Sequence, residues 1–398
     1  MHRSILVLLF GLIATACGGF SAGQGVDELL VDASTAESFD VPQILASERE
    51  DVPSALRDIG SFDVALVDRN QVLSGGPPPD GIPSIDEPRF LNVGDVGFLD
   101  DREPVIVLEV ADQARIYPIQ ILIWHEIVND TIDDVPVSIT YCPLCNSAIA
   151  YDARVGDRVL EFGTSGRLFA SAMVMYDRQT ESLWTHIDGR AVVGELVGTE
   201  LELLPVSTVA WADARKDHAD ALVLSRDTGH DRQYGVNPYE GYTSRSAPLS
   251  FFRGAIDDRA SAMARVVGLR VNEESLAVPV DDLAVDGVAE VIVDGEPIVV
   301  WHKAGAASSL DSLVIENGDD IGAVGAFVPV AADGTALSFT RTLDGTFVDD
   351  QTGTSWSVLG RAVSGPLEGS QLERVEHLDT FWFAWATYQP DTLLVVMP

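Results

Sequence analysis

Two thiols stand in the run Tyr141-Cys142-Pro143-Leu144-Cys145-Asn146. A Cys-x-x-Cys pair supports three chemistries: a structural disulfide, a redox-active dithiol, or two ligands of a soft metal. The chain has three cysteines, and the third, Cys17, belongs to an export signal described below. No second pair is left to complete a four-cysteine metal site. Redox pairs of this spacing usually sit on the first turn of a helix, whose dipole stabilises a thiolate. Here the segment PVSITY precedes the pair and SAIAYD follows it. Their alternation predicts two strands joined by a tight turn, with both thiols in the turn.

A strand-borne Cys-Pro-x-Cys turn resembles the metal-binding knuckle of rubredoxins and zinc ribbons. Such a turn needs a left-handed residue after the second cysteine, and Asn146 is the best choice after glycine. A knuckle gives two ligands and a tetrahedral metal needs more. The nearest further donor is His125 in WHEIVND, and His186 in LWTHIDG is a second, read first as a buried structural histidine. Met173 and Met175 share one strand face and offer soft sulfur, although two methionines at this spacing fill cores more often. Glu126 and Asp130 fall one turn apart on a predicted short helix, where they could act as an acid–base pair or as hard ligands. No Ser/His/Asp ordering, phosphate loop or dinucleotide fingerprint is present, so no nucleotide cofactor is expected.

The elements that must hold these groups recur along the chain. Val105–Leu122 (VIVLEVADQARIYPIQIL) aligns without a gap on Val266–Leu283 (VVGLRVNEESLAVPVDDL), an offset of 161. YDRQTESLW at Tyr176–Trp184 aligns on VDDQTGTSW at Val348–Trp356, and GRAVVGELVGTEL at Gly189–Leu201 on GRAVSGPLEGSQL at Gly360–Leu372. Long-period similarity of this kind predicts two copies of one unit, residues 105–225 and 266–398, joined by a Tyr-, Gly- and Arg-rich connector. Alternating apolar residues and frequent glycine turns predict an α+β, β-rich fold. It should comprise two internal repeats of mainly antiparallel sheet with few helices, related by a pseudo-twofold axis. The repeat also serves as a control. At the offset of 161, His125, Cys142 and Cys145 fall on Asp286, Lys303 and Ala306, so a scaffold of this kind does not need them.

The expected division of the chain is a signal peptide over residues 1–16, an acidic spacer over 17–75, a first repeat with its connector over 76–265, and a second repeat over 266–398. Arg3, the short apolar run Ser4–Ile13 and the small residues Ala14-Thr15-Ala16 precede Cys17, the order a lipoprotein signal peptidase reads. The apolar run is well below the roughly 20 residues that span a bilayer. The expectation is therefore an extracytoplasmic protein anchored to the cell membrane by lipid on Cys17. The full chain carries a formal charge of −37, with Lys216 and Lys303 its only lysines. Charge of that sign repels nucleic acid and anionic lipid, so the membrane contact is the anchor and nucleic acid is not a partner.

The motifs PPDGIPSID, WHEIVND, VSITYCPLCNSAIAYD, FGTSGRLF, MYDRQTESLW and YGVNPY together resemble one family of prokaryotic proteins. It is the domain-of-unknown-function family numbered 3179. The resemblance covers residues 76–398. It implies that His125, Glu126, Asn129, Asp130, Cys142 and Cys145 belong to shared motifs, and it implies no reaction. Members usually carry glycine where this chain has Asn146. The leading expectation is a metal-binding or metal-handling lipoprotein holding copper or zinc on Cys142, Cys145 and His125. Glu126, Asn129, Asp130, His186 and Met175 are the outer or alternative donors. The other readings are an extracytoplasmic thiol–disulfide oxidoreductase and a non-catalytic scaffold with a structural disulfide.

Overall fold

The computed structural model describes residues 65–397 apart from Asp112. The signal segment, Cys17 and most of the spacer lie outside the described residues. The first long element pair is a hairpin, Pro104–Val110 (β1) and Gln113–Pro118 (β2), in which Val105 faces Pro118 across the ladder. Pro118 closes β2 because proline has no N–H to give the ladder, and its fixed φ leads into a helix. The seven-residue helix α1 follows at once, over Ile119–His125. It stops at Glu126, whose φ is 59° and whose N–H bonds back to the Leu122 carbonyl.

After that turn the β-branched run IVNDTI forms Ile127–Ile132 (β3), paired with Val135–Cys142 (β4), which pairs with Ser147–Asp152 (β5). Glu126 and Asp130 therefore do not share a helix. Glu126 caps α1 and Asp130 lies within β3, because Ile127, Val128, Thr131 and Ile132 favour the pleated, packed surface of a strand. A second sheet follows, with Phe162–Phe169 (β6), Ala172–Asp177 (β7), Leu183–Thr185 (β8) and Ala191–Val193 (β9) in sequential antiparallel order. Its outer edge is taken by Val72–Ser74, which precedes the β1–β2 hairpin in the chain. Val206–Ala210 (β10) then returns antiparallel to β1, and helix α2, Trp211–Asp217, leads to Leu222–Leu224, which lies parallel to β2.

The second half runs through a similar series of elements. Arg265–Val271 (β11) and Glu274–Pro279 (β12) form a hairpin with Val266 facing Pro279, the register of β1 and β2 displaced by 161. Helix α3 (Val280–Asp286), strands Val288–Val293 (β13), Glu296–Lys303 (β14) and Ala323–Phe327 (β15) come next. Four short strands, Phe339–Arg341, Phe347–Asp349, Ser355–Trp356 and Ala362–Ser364, form the counterpart of the β6–β9 sheet. His377–Phe381 (β16) pairs with β11, and helix α4 (Trp382–Tyr388) leads to Leu393–Leu394, parallel to β12. The result is a β-rich fold of several antiparallel sheets with four short α-helices among the described residues.

The two halves share their cores. One face of the β1–β2 hairpin, with Ile106, Leu108 and Tyr117, packs on α1 and the β3–β5 sheet. Its other face, with Val105, Val107 and Ile116, packs on Val299, Trp301, Phe347 and Trp356 of the second half. The β11–β12 hairpin does the reverse. Val267, Leu269 and Val278 face α3 and β14 of their own half, whereas Val266, Ala277, Phe381 and Trp382 join the core that contains Cys142 and Cys145. Each fully buried large apolar side chain contributes about 1.5–3 kcal/mol, so the two cores that draw on both halves couple their stabilities.

Candidate functional site

The thiols sit where β4 passes into β5, with Cys142 opposite Ser147. The Cys145 N–H donates to the Cys142 carbonyl at 3.3 Å and the Asn146 N–H to the Pro143 carbonyl at 3.2 Å. Asn146 takes a φ of 52°, the left-handed conformation that lets the turn close directly into β5. This is the strand-borne turn expected from the sequence, and neither cysteine lies on a helix. Tertiary contacts then fix it. The Tyr242 hydroxyl donates to the Leu144 carbonyl at 2.9 Å. The Cys145 carbonyl accepts from the Thr380 hydroxyl at 2.7 Å and the Phe381 N–H at 3.1 Å. Tyr141, beside the pair, shares a 2.8 Å hydrogen bond with Ser309 of the second half.

Cys142 and Cys145 are 1% and 0% exposed, unbridged, and their sulfurs are 2.8 Å apart. Two sulfurs on one tetrahedral metal, each about 2.3 Å from it, stand about 3.8 Å apart. The observed spacing is longer than the roughly 2.05 Å of a disulfide and shorter than a sulfur–sulfur hydrogen bond, so it places the two thiols side by side and assigns no particular bond between them. Burial alone would raise the Cys142 thiol. Hydrogen bonds from the Cys145 thiol and from the N–H groups of Met173, Cys145 and Leu144 overcome this and hold it below its ordinary value. The Met173 N–H reaches the Cys142 sulfur at 3.4 Å. Cys145 moves the other way, raised well above its ordinary value by burial and by its hydrogen bond to Cys142. The pair is therefore chemically unequal, with negative charge favoured on Cys142.

His125 does not complete a metal set with the sulfurs. Its Nδ1 lies 2.7 Å from the Pro83 carbonyl, which can only accept, so Nδ1 carries the hydrogen. Its Nε2 then accepts from the Tyr234 hydroxyl at 2.7 Å. Both ring nitrogens are spent tying α1 to the Pro-rich segment and to the connector. Burial lowers the ring's pKa to about 3, with His230 and Arg232 adding to the effect, so it is neutral. Among the described residues no three His, Cys, Asp or Glu side chains gather as a metal would require.

The other motif residues divide in the same way. Asn129 donates to Asp86 at 2.9 Å and to the Phe162 carbonyl at 2.8 Å, and accepts the Phe162 N–H at 3.0 Å. It therefore fastens β3 to β6. Asp130 accepts from Tyr117 at 2.7 Å and supports β2. Met175 is buried in the core across from Thr164 and Trp184. Glu126, in contrast, is drawn to the thiols. Burial and the charge on Cys142 push its carboxyl well above the ordinary range, which favours its protonated form.

Sequence reasoning missed Ser147, Thr140 and the connector tyrosines. The Ser147 hydroxyl is 2.8 Å from His186 Nε2, and Thr140 stands 3.2 Å from His186 Nδ1. Serine and threonine in strands carry no signal of their own. The alternation along β5 and the nearness of Ser147 to Cys145 in sequence are the cues that were available.

A family model described as a protein of unknown function (DUF3179) matches residues 79–392. No curated protein and no solved structure matches the chain. The matched region contains the cysteine turn, α1, the connector and both hairpins, and by that match the chain belongs to the DUF3179 family.

Proposed function

We propose that this protein is a membrane-anchored, extracytoplasmic thiol–disulfide exchange protein with Cys142 as the attacking thiolate and Cys145 as the resolving thiol. The observation that carries the reading is the unequal, closely opposed sulfur pair, 2.8 Å apart, whose charge acts on the buried carboxyl of Glu126. The substrate class is a disulfide, R–S–S–R′, on an exported molecule. The Cys142 thiolate bonds to one substrate sulfur as the substrate S–S bond breaks, and R′–S⁻ leaves with the proton of Glu126. The Glu126 carboxylate then takes the proton of Cys145. The Cys145 thiolate attacks Cys142 in the mixed disulfide, and R–S⁻ departs. Two electrons pass to the substrate, Cys142 and Cys145 end as a disulfide, and Glu126 is again protonated. With both sulfurs nearly inaccessible, the turn must open for each exchange.

The test is a redox titration of the full-length protein in detergent, purified without chelator and equilibrated in glutathione buffers. Disulfide content is read by thiol trapping and mass spectrometry, and metal content is read in parallel. A reversible two-electron transition, lost in Cys142→Ser and in Cys145→Ser, supports the proposal. A pair that stays oxidised under strongly reducing conditions is a structural disulfide, and one that carries a stoichiometric copper or zinc ion is a metal site. Either result overturns the reading.

A further inference from the structure

We propose that a cavity at the seam between the halves is a ligand site, which takes a compact organic cation: an ammonium group on a small apolar body. The site is separate from the thiol turn, and the inference does not rest on the exchange reading. The cavity measures about 150 Å³ and is lined by β5 and β10 of the first half and by β11, β16 and α4 of the second. A space of that size holds one benzene ring, so the ligand has about six to eight non-hydrogen atoms. The floor is apolar, with Ile149, Leu201, Val206, Leu378 and Trp385 all buried. The Trp385 indole rests against Gly268, where any Cβ would stand 2.3 Å from its Cε3, and its N–H donates to Thr392 at 2.9 Å. A fixed aromatic wall of this kind suits an aryl or alkyl body. The charged groups of the lining are more exposed than the floor. They are three carboxyl groups, Asp188, Glu200 and Glu376, and one guanidinium, Arg270. His377 adds no second cation, because burial lowers its pKa. The balance favours a positive ligand and disfavours a negative one. Glu200 is 3.6 Å from Arg190, whereas among the described residues Asp188 and Glu376 form no ion pair. Burial raises the Asp188 carboxyl above its ordinary range, a cost that an ammonium beside it would offset.

The corresponding place on the other side of the seam is filled by a cation of the chain itself. The offset of 161 carries Glu109 to Arg270, and the offset of 171 that aligns Gly189–Leu201 on Gly360–Leu372 carries Leu203 to Arg374. The strand registers keep these matches. Val206 pairs with Leu108 as His377 pairs with Leu269, and Leu203 pairs with Tyr151 as Arg374 bridges to Phe327. On that side the Arg374 guanidinium, on a side chain 12% exposed, reaches Glu109, and His218 Nε2 stands 2.9 Å from the same carboxylate. At the cavity Leu203 stands in place of the arginine and is shorter and uncharged, which leaves the space open. The ligand would supply there the apolar stem and positive end that Arg374 supplies opposite. The acidic lining is not a requirement of the scaffold, since Asp188, Glu200 and Glu376 fall on Leu359, Gln371 and Pro205 at the offset of 171. The wall differs as well. Gly268 and Trp385 fall on Val107 and Ala214, so the large side chain comes from the helix here and from the strand opposite.

The test follows the indole N–H signals of the full-length protein in detergent, labelled with nitrogen-15 at tryptophan and with Trp385 assigned through Trp385→Phe. Benzylamine, benzyl alcohol and benzoate, which differ little in size, are added in turn. Benzylamine should shift the Trp385 signal saturably, with an affinity about tenfold or more above that of benzyl alcohol, and benzoate should leave it unmoved. Asp188→Asn, which keeps the shape and removes the charge, should weaken benzylamine about tenfold and leave benzyl alcohol unchanged. Leu203→Arg, which places in the cavity the side chain found opposite, should abolish binding of both. If the remaining indole signals show that this variant does not fold, Asp188→Asn decides. No saturable shift with benzylamine, or equal affinity for the amine and the alcohol, overturns the inference. So does an affinity for benzylamine that Asp188→Asn, or a folded Leu203→Arg, leaves intact. The exchange reading is decided separately, by the glutathione titration.

Discussion

The Tyr141 backbone N–H donates to the Glu126 carbonyl at 2.8 Å, which sets the last residue of the α1 turn directly beside the first cysteine. The β3–β4 register, Ile127 against Thr140, extends to this pair. The buried carboxyl of Glu126 is thereby near enough for the charge on Cys142 to act on it, because a helix ends, with a positive φ, where a strand begins.

That relationship predicts a pH dependence. The Glu126 carboxyl is raised above its ordinary 4.5, so the folded protein holds a proton that the unfolded chain releases. Stability should therefore fall as pH rises from about 4.5 towards the folded-state pKa, with a slope of up to about 1.4 kcal/mol per pH unit. Glu126→Gln should remove this slope in urea melts and slow disulfide exchange at least tenfold. Retention of the slope would place the titration elsewhere.

His125 should behave as a structural residue. His125→Ala removes hydrogen bonds to Pro83 and Tyr234 from a buried ring and should cost about 2–4 kcal/mol. The matched Asp286→Ala, on an exposed position of α3, should change stability by less than about 0.5 kcal/mol. Because burial lowers the His125 pKa to about 3, its contribution is present above about 6.5 and is lost as pH falls towards 3. Chemical denaturation from pH 7 to 4 measures both effects. A loss of bound metal in His125→Ala with unchanged stability would contradict the structural role.

Asp177 and Asp349 should be equivalent. Each accepts a tryptophan Nε1–H at 2.9 Å, from Trp184 and Trp356, and caps the same turn through Thr180 or Thr352. Asp177→Ala and Asp349→Ala should each lower stability by about 2–4 kcal/mol, because each orphans a buried indole N–H. Very different costs in thermal melts would show that the two turns are not energetically alike.

On anchoring, Cys17→Ser should leave the protein without lipid, either released or uncut at the signal. Metabolic labelling with a fatty acid, followed by membrane fractionation, reports the outcome. Normal acylation of the serine variant would remove the basis for a lipid anchor on Cys17.

Local chemistry in the sequence was enough to read the β-rich class, the hairpin that carries the cysteines and the left-handed Asn146. Alternation, proline position and steric tolerance act over a few residues, so each leaves a local trace. The offset between Val105 and Val266 was legible for the same reason, and the hairpin registers keep it. The length of α1 was not legible, because WHEIVND fits a helix until Glu126 turns and Ile127 finds a strand partner. The assignment of the two histidines was decided only by tertiary structure. Sequence distance favoured His125, 17 residues before Cys142, over His186, which lies 44 residues beyond it. In the folded chain Pro83 and Tyr234 take both nitrogens of His125, and Ser147 and Thr140 orient His186. Which lone pair or proton a buried imidazole presents depends on the groups packed around it. Those groups come from segments far apart in the chain, and only the packing of both halves into a shared core brings them together.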